Sequence, residues 1–281
     1  IGDMNLFESL CHSFSTVATG GFSTRNNSVT CFSPYIQYVI LIFMFLSGVS
    51  YIIYYYMVKL NFKKIRQNEE LWFYLAFVII TGMIATAILF TKTSKPIEVA
   101  FREGFFHVVS LITTTGFASV DYLLWPSTGL LLVFVLLFAG ASTGSTSGNI
   151  KMIRHLIVIK NIKSAFVRLL HPNVINQVRI NGKPLPEKSN ITVMSFITLY
   201  IFIFIIGTIV VVSTGVDIVT GASAVATSLG NVGPGLGHIG PMDNFAQFTD
   251  FNKFVFSILM IVGRLEIFTI YALFTKSFWR L

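Results

Sequence analysis

Long runs without a charged residue alternate along the chain with short clusters of Lys, Arg, Asp and Glu. Residues 35–58 are uncharged and end in Lys59, Lys63, Lys64 and Arg66, the pattern of a membrane-spanning helix stopped at a cytoplasmic surface. Residues 71–90 form a second run, closed by Lys92, Lys95 and Pro96, where proline suits the start of the next helix. Residues 125–150 also carry no charge, but their second half is made of Gly140, Gly144 and Gly148 interleaved with Ser142, Thr143, Ser145, Thr146 and Ser147. That composition favours neither helix nor strand, so this span is expected to break in the middle. Residues 151–188 are polar and basic and read as a cytoplasmic connector with a turn at Asn181-Gly182. Residues 191–212 and 254–274 complete about five spans, each near the ~20 predominantly apolar residues that cross a bilayer.

Between the spans lie segments too short to cross: 7–22, 105–120 and 218–240. Each closes in Gly and hydroxyl residues, which fits a re-entrant half-helix followed by a loop. Setting Gly21 against Gly116 aligns Glu8 with Glu103, His12 with His107, Ser15 with Ser110, Thr19 with Thr114 and Phe22 with Phe117, without a gap. A third unit aligns more weakly through Thr227, Asn231 and Gly233. Duplication of one unit accounts for this order. The expected fold is an all-α integral membrane protein of repeated helix, pore helix, filter loop and helix, with three re-entrant half-helices and a truncated N-terminus. Its divisions are a partial unit at 1–66, a unit with a broken second span at 67–170, and a connector with a further unit at 171–281.

Composition supports lipid as the solvent. Of 281 residues 54% are hydrophobic and 11% charged, against roughly a quarter charged in soluble domains. That excludes an ordinary soluble enzyme and a disordered chain. Cys11 and Cys31 are too few for a disulfide framework and read as small buried side chains. The start, Ile1 to Met4, has no basic region leading into an apolar run, so it does not read as a signal peptide. Most of the 20 Lys and Arg lie at 59–66, 151–188 and 276–280, which by the positive-inside tendency face the cytoplasm. The half-helices then enter from outside. The formal net charge of +8 is largely this topology signal and needs no nucleic-acid partner.

A repeated unit with Gly and Thr at its loop has the chemistry of an ion filter. Backbone carbonyls can replace a cation's hydration shell only in an unusual extended conformation, which Gly permits. The candidate loops are Thr19-Gly20-Gly21, Thr114-Thr115-Gly116 and Asn231-Val232-Gly233. A half-helix entering from outside aims its partially negative C-terminus into the membrane, which favours a cation. Ordinary turns would account for one such loop, but poorly for three in register.

These loops, together with the stretch 139–152, Asn181-Gly182-Lys183-Pro184 and the glycine-rich 230–237, resemble the Trk/Ktr/HKT superfamily of potassium transporters, and within it the bacterial TrkH/TrkG-type membrane subunit. The resemblance covers nearly the whole chain. It implies a pore-forming subunit of a potassium uptake system in which four units surround one pore, with filter glycines at Gly21, Gly116 and Gly233. A fourth unit is expected upstream. It further implies potassium at the filter carbonyls, no covalently bound cofactor, no transition metal, a homodimer in lipid, and a TrkA-like cytoplasmic nucleotide-binding regulatory subunit on the basic inner face. The implied location is the bacterial cytoplasmic membrane, multi-pass, with filter loops facing outside. A sodium-permeable or ion-coupled alternating-access carrier, or a non-transporting fragment, is the alternative.

Gly140, Gly144 and Gly148 fall four apart, which fits a helix-packing face of small residues. The resemblance instead implies an intramembrane gate formed by Gly140, Gly144, Ser145, Thr146 and Gly148. Arg264, within the last span, must face water or a partner. It either lines the pore beneath the filter and bonds the gate, as the resemblance implies, or joins a structural ion pair. Glu266 is two positions on and faces elsewhere. The pairs Glu8/His12 and Glu103/His107 read as structural hydrogen bonds rather than metal ligands. Asp121 and Asp217 either enrich cations or cap helices. Gly235-Leu-Gly237-His-Ile-Gly240 matches a dinucleotide fingerprint without its strand–helix context, so nothing supports an enzyme.

Overall fold

The structure, a computed structural model, describes residues 2–171, 174, 176–273 and 279. Helices α1 (Leu6–Val17), α2 (Pro34–Ser47), α3 (Tyr51–Val58) and α4 (Phe62–Arg66) lead into the long α5 (Glu69–Lys92). There follow α6 (Ile97–Ile112), α7 (Ser127–Leu136), α8 (Met152–Leu170) and a hairpin of β1 (Arg179–Ile180) and β2 (Lys183–Pro184). The chain continues through α9 (Glu187–Val212), α10 (Ile218–Gly230), α11 (Asp250–Arg264) and α12 (Ile267–Leu273).

Among the described residues, α5 and α9 are the continuous helices long and apolar enough to cross a membrane. Three of the expected spans are interrupted. The run 35–58 is bent by 92° between α2 and α3. Gly48 sits at the bend because a Cβ there would lie 2.4 Å from Tyr74 Oη and 2.9 Å from Thr113 Cγ2. The run 125–150 forms only α7 before leaving the helix, as its Gly/Ser/Thr composition predicts. The run 254–274 divides at Leu265 and Glu266, where Glu266 takes φ +61°; Phe274 lies outside the described residues.

The basic segment 151–188 is more ordered than a connector. Its first half is α8, with Ile157 buried and Lys160, Lys163 and Arg168 along its length. Its second half is the two-stranded hairpin, turned by Asn181 and Gly182 at φ +52° and +75°, the geometry of a tight hairpin turn. Lys276 and Arg280, read as a cytoplasmic cluster, lie outside the described residues.

The short helices begin and end close to expectation, except that α6 starts at Ile97, well before 105. Packing centres on α6, which lies against both α5 and α2, and on α10, which lies against both α9 and α11. Two apolar clusters result, one around Met44, Tyr74 and Phe106 and one around Tyr200, Leu229 and Phe256. Tyr122 in the first reaches the second, donating to the Gly235 carbonyl at 2.8 Å. Neither cysteine is buried: Cys11 is half-buried on α1, whose buried positions are Glu8, His12, Ser15 and Thr16, and Cys31 is exposed in the turn before α2.

Candidate functional site

The helices α1, α6 and α10 end in loops of one geometry. In each, an amide folds back on a carbonyl five residues earlier: Gly20 on Ser15 at 2.7 Å, Thr115 on Ser110 at 2.9 Å, and Val232 on Thr227 at 3.0 Å. The residue before it is left-handed each time, with φ +50° at Thr19, +53° at Thr114 and +54° at Asn231. Such values are uncommon outside glycine, so their recurrence at the aligned positions is a shared conformation. Gly21, Gly116 and Gly233 follow, also at positive φ.

The loops stand side by side in chain order. A Cβ on Gly21 would lie 1.8 Å from the Thr115 carbonyl oxygen, and one on Gly116 would lie 2.3 Å from that of Val232. Gly233 has nothing within 4 Å of that position. The arrangement is therefore an arc, each of the first two glycines receiving the next loop's carbonyl, with none of the described residues against the third. The C-termini of α1, α6 and α10 lead into it and bring partial negative charge.

Parallel devices hold the first two helices. His12 Nδ1 bonds the Glu8 carbonyl at 2.7 Å and His107 Nδ1 the Glu103 carbonyl at 2.9 Å. Their Nε2 atoms reach Ser23 Oγ at 3.0 Å and the Val120 carbonyl at 3.1 Å, on the segments leaving the loops. The carboxylates turn to cations instead: Glu8 to Arg25 and Glu103 to Lys95, each at 2.6 Å. Ser15, Ser110 and Thr227 diverge. Ser110 Oγ donates to the Phe117 carbonyl and Thr227 Oγ1 accepts from Gly233 N–H, while Ser15 Oγ has no partner among the described residues.

Asp121 and Asp217 are capping groups. Asp121 accepts the Leu123 N–H and Asp217 the Thr220 N–H, both at 2.9 Å. Hydrogen bonds from Thr220 hold the Asp217 carboxyl below its ordinary range.

No helix covers 137–151. This stretch crosses the C-terminal ends of all three short helices. Thr146 Oγ1 donates to the Val17 carbonyl at 3.2 Å, Gly148 N–H donates to Thr114 Oγ1 at 2.8 Å, and a Cβ on Gly148 would lie 2.7 Å from the Gly230 carbonyl oxygen. The bend in the first span meets it from the side: Ser142 N–H donates to the Gly48 carbonyl and Tyr51 N–H to the Gly144 carbonyl, both at 3.0 Å. Two interrupted helices thus satisfy each other's freed backbone groups, a condition for irregular chain at membrane depth. Gly140 N–H bonds the Ile150 carbonyl at 2.8 Å, and Ser145 Oγ the Ser142 carbonyl at 2.6 Å.

Arg264 comes from the last turn of α11, at the break that divides the run 254–274. Its Nη1 donates to the Thr146 carbonyl at 3.0 Å. Glu266 pairs with Arg154 at 2.8 Å. Beside the loop lies a cavity of about 300 Å³, lined in part by Thr143, Thr146, Lys151, Arg154, Arg264 and Glu266. Three cations and one carboxylate make it electropositive.

The sequence-derived residues therefore converge in two groups, the arc of Thr19, Gly20, Gly21, Thr114, Thr115, Gly116, Asn231, Val232 and Gly233, and beneath it the loop with Arg264. Sequence reasoning missed three supports. Gly48 and Tyr51 carry the bend, signalled only by Ser47-Gly48-Val49-Ser50 inside an apolar run. Tyr200 donates to Asn149 Oδ1 at 2.9 Å, and Glu70 accepts the Thr143 N–H at 2.6 Å; neither has a local sequence signal. Among the described residues, no three His, Cys, Asp or Glu converge as a metal site.

Comparison with known proteins gives this geometry a family. The TrkH family model, described as a cation transport protein, matches residues 2–280. The Trk system potassium uptake protein TrkH of Salmonella typhimurium is 35% identical over 280 residues, covering 99% of this chain and 58% of the relative. Escherichia coli TrkG is 31% identical over 282 residues, again covering 58% of the relative. The crystal structure of the potassium transporter TrkH from Vibrio parahaemolyticus matches with a TM-score of 0.92 at 31% identity, over 99% of this chain and 60% of that one. The chain thus spans somewhat under two thirds of the length of these relatives, and on the family match over nearly its full extent it belongs to the TrkH family of cation transport proteins.

Proposed function

We propose that this chain forms most of the wall of a potassium-conducting pore. Carbonyls of 19–21, 114–116 and 231–233 replace the ion's water, and the loop 140–148 with Arg264 closes the path beneath them. The observation that supports this most strongly is the register of the three loops. The left-handed residue and the glycine recur at aligned positions, each of the first two glycines abuts the next loop's carbonyl, and one irregular stretch underlies all three helix ends. Backbone carbonyls that take the place of hydration water suit a monovalent cation. The relatives' printed names supply potassium as the ion.

The arc leaves one side open, and in our reading a fourth loop of the parent protein completes the ring. The loops face outside in a bacterial cytoplasmic membrane, because Lys59 to Arg66 and α8 lie at the opposite ends of α5 and α9 and follow the positive-inside tendency. A homodimer and a cytoplasmic nucleotide-binding regulatory subunit on the basic inner face belong to the same reading. The word "system" in the relatives' names accords with such a component.

The test is ion flux through the full-length parent protein in liposomes carrying a potassium gradient. Potassium current in unitary steps, without a co-substrate, is expected. Slow saturable flux that requires a second ion would assign the loops to an alternating-access carrier instead.

A further inference from the structure

Two adjacent carboxylates in the first turn of α5 reach in different directions. Glu70 is buried and accepts the Thr143 N–H, within the irregular loop, at 2.6 Å. Glu69 turns to the cytoplasmic hairpin: its backbone N–H donates to Asn181 Oδ1 at 2.9 Å. Its carboxylate binds Lys160 Nζ of α8, which also donates to the Arg179 carbonyl at 2.7 Å. Asn181 is the hairpin's turn and Arg179 its first strand. One helical turn therefore joins the hairpin to the loop through consecutive residues.

The chemistry at the two ends differs. An N–H in a non-helical loop has no i−4 carbonyl, and leaving it unpaired and buried is costly. The Glu70 carboxyl oxygen supplies the missing acceptor from another element. The hairpin end consists of exposed or half-buried groups.

We infer that Glu70 is a positioning residue that pins the loop 140–148 in its blocking conformation, and that the hairpin β1–β2 is the lever by which a protein bound at the cytoplasmic face releases it through Glu69 and the start of α5. The inference rests on the reading of 140–148 as the gate. It assigns the hairpin a mechanical role and names the residue at which its motion reaches the pore.

The test uses single-channel recording of the full-length parent protein in planar bilayers. Glu70→Ala is expected to raise open probability several-fold with unitary conductance and potassium preference unchanged. Glu70→Gln keeps an acceptor oxygen and should fall between; it also carries the test if Glu70→Ala does not purify as a folded protein. Asn181→Ala should raise open probability less, and the double variant Asn181→Ala/Glu70→Ala no further than Glu70→Ala alone, because the lever acts through that residue. Unchanged open probability in Glu70→Ala and Glu70→Gln, or full additivity in the double variant, overturns the inference. Arg264→Ala is the control: if it alters opening while the Glu70 variants do not, the lever fails and the gate stands. If none of them alters opening, the gate reading itself fails.

Discussion

Arg264 and Thr146, 118 residues apart in the chain, meet where the guanidinium Nη1 donates to the threonine's backbone carbonyl at 3.0 Å. The bond joins the end of α11 to the loop beneath the three-loop arc, and it places a permanent positive charge beside the expected ion path. On the proposed function, a cation below the arc meets both the loop and that charge. Arg264→Ala removes both obstacles and is expected to raise open probability at least several-fold. Arg264→Lys keeps the charge with a less directional donor and should fall between. Open probability in planar bilayers checks the order; equal values for all three proteins would remove Arg264 from the gate.

The glycines of the arc differ in how closely a neighbour approaches. A Cβ at Gly21 or Gly116 would fall 1.8 or 2.3 Å from a carbonyl oxygen, whereas one at Gly233 would meet nothing within 4 Å. All three have positive φ, so alanine strains each by about 1–3 kcal/mol; only at the first two must a carbonyl also move. Gly21→Ala and Gly116→Ala are expected to lose potassium-over-sodium preference, and Gly233→Ala to lose less of it. Reversal potentials under bi-ionic conditions measure the ranking.

Tyr200 supports the loop from α9 through its bond to Asn149 Oδ1, and Asn149 Nδ2 donates to the Leu137 carbonyl at 2.7 Å. Tyr200→Phe leaves one buried acceptor short and should cost roughly 1 kcal/mol. Asn149→Ala breaks both bonds at a left-handed position, φ +63°, and should cost more. Thermal midpoints of the full-length protein in detergent should fall in that order.

Asp217 caps α10, the helix that leads into the third loop. Replacement by Ala is expected to cost about 1 kcal/mol at neutral pH. Thr220 holds the folded carboxyl below its unfolded value, so the charged cap contributes fully above the unfolded value of about 3.9 and loses that contribution as pH falls through the lower folded value. The difference in thermal midpoint between the wild type and Asp217→Ala should therefore narrow in acid. A difference that grows in acid would contradict this assignment.

Where the fold follows from local chemistry, it is legible in the sequence. The alignment of Thr19, Thr114 and Asn231 marks the positions that turn left-handed, and the Gly/Ser/Thr composition of 140–148 marks the stretch that leaves the helix. Where tertiary partners decide, it is not. The run 35–58 reads as one apolar span, yet Tyr74, Thr113 and the amide of Ser142 crowd and bond its bend from distant segments. Charge also misled. Lys160, Lys163 and Arg168 make the segment read as a polar connector and hide the amphipathic helix α8 that carries them. Glu70 reads as an ordinary acid at a helix start; its role depends on Thr143, which no local pattern brings near.

On the proposed function, carbonyls of the three loops hold a dehydrated monovalent cation. A crystal structure of the full-length parent protein soaked in rubidium, with anomalous scattering recorded at the rubidium edge, tests it most directly. A peak enclosed by the backbone of 19–21, 114–116 and 231–233 is expected. A well-ordered arc with no anomalous density, and rubidium bound only elsewhere in the protein, would contradict it.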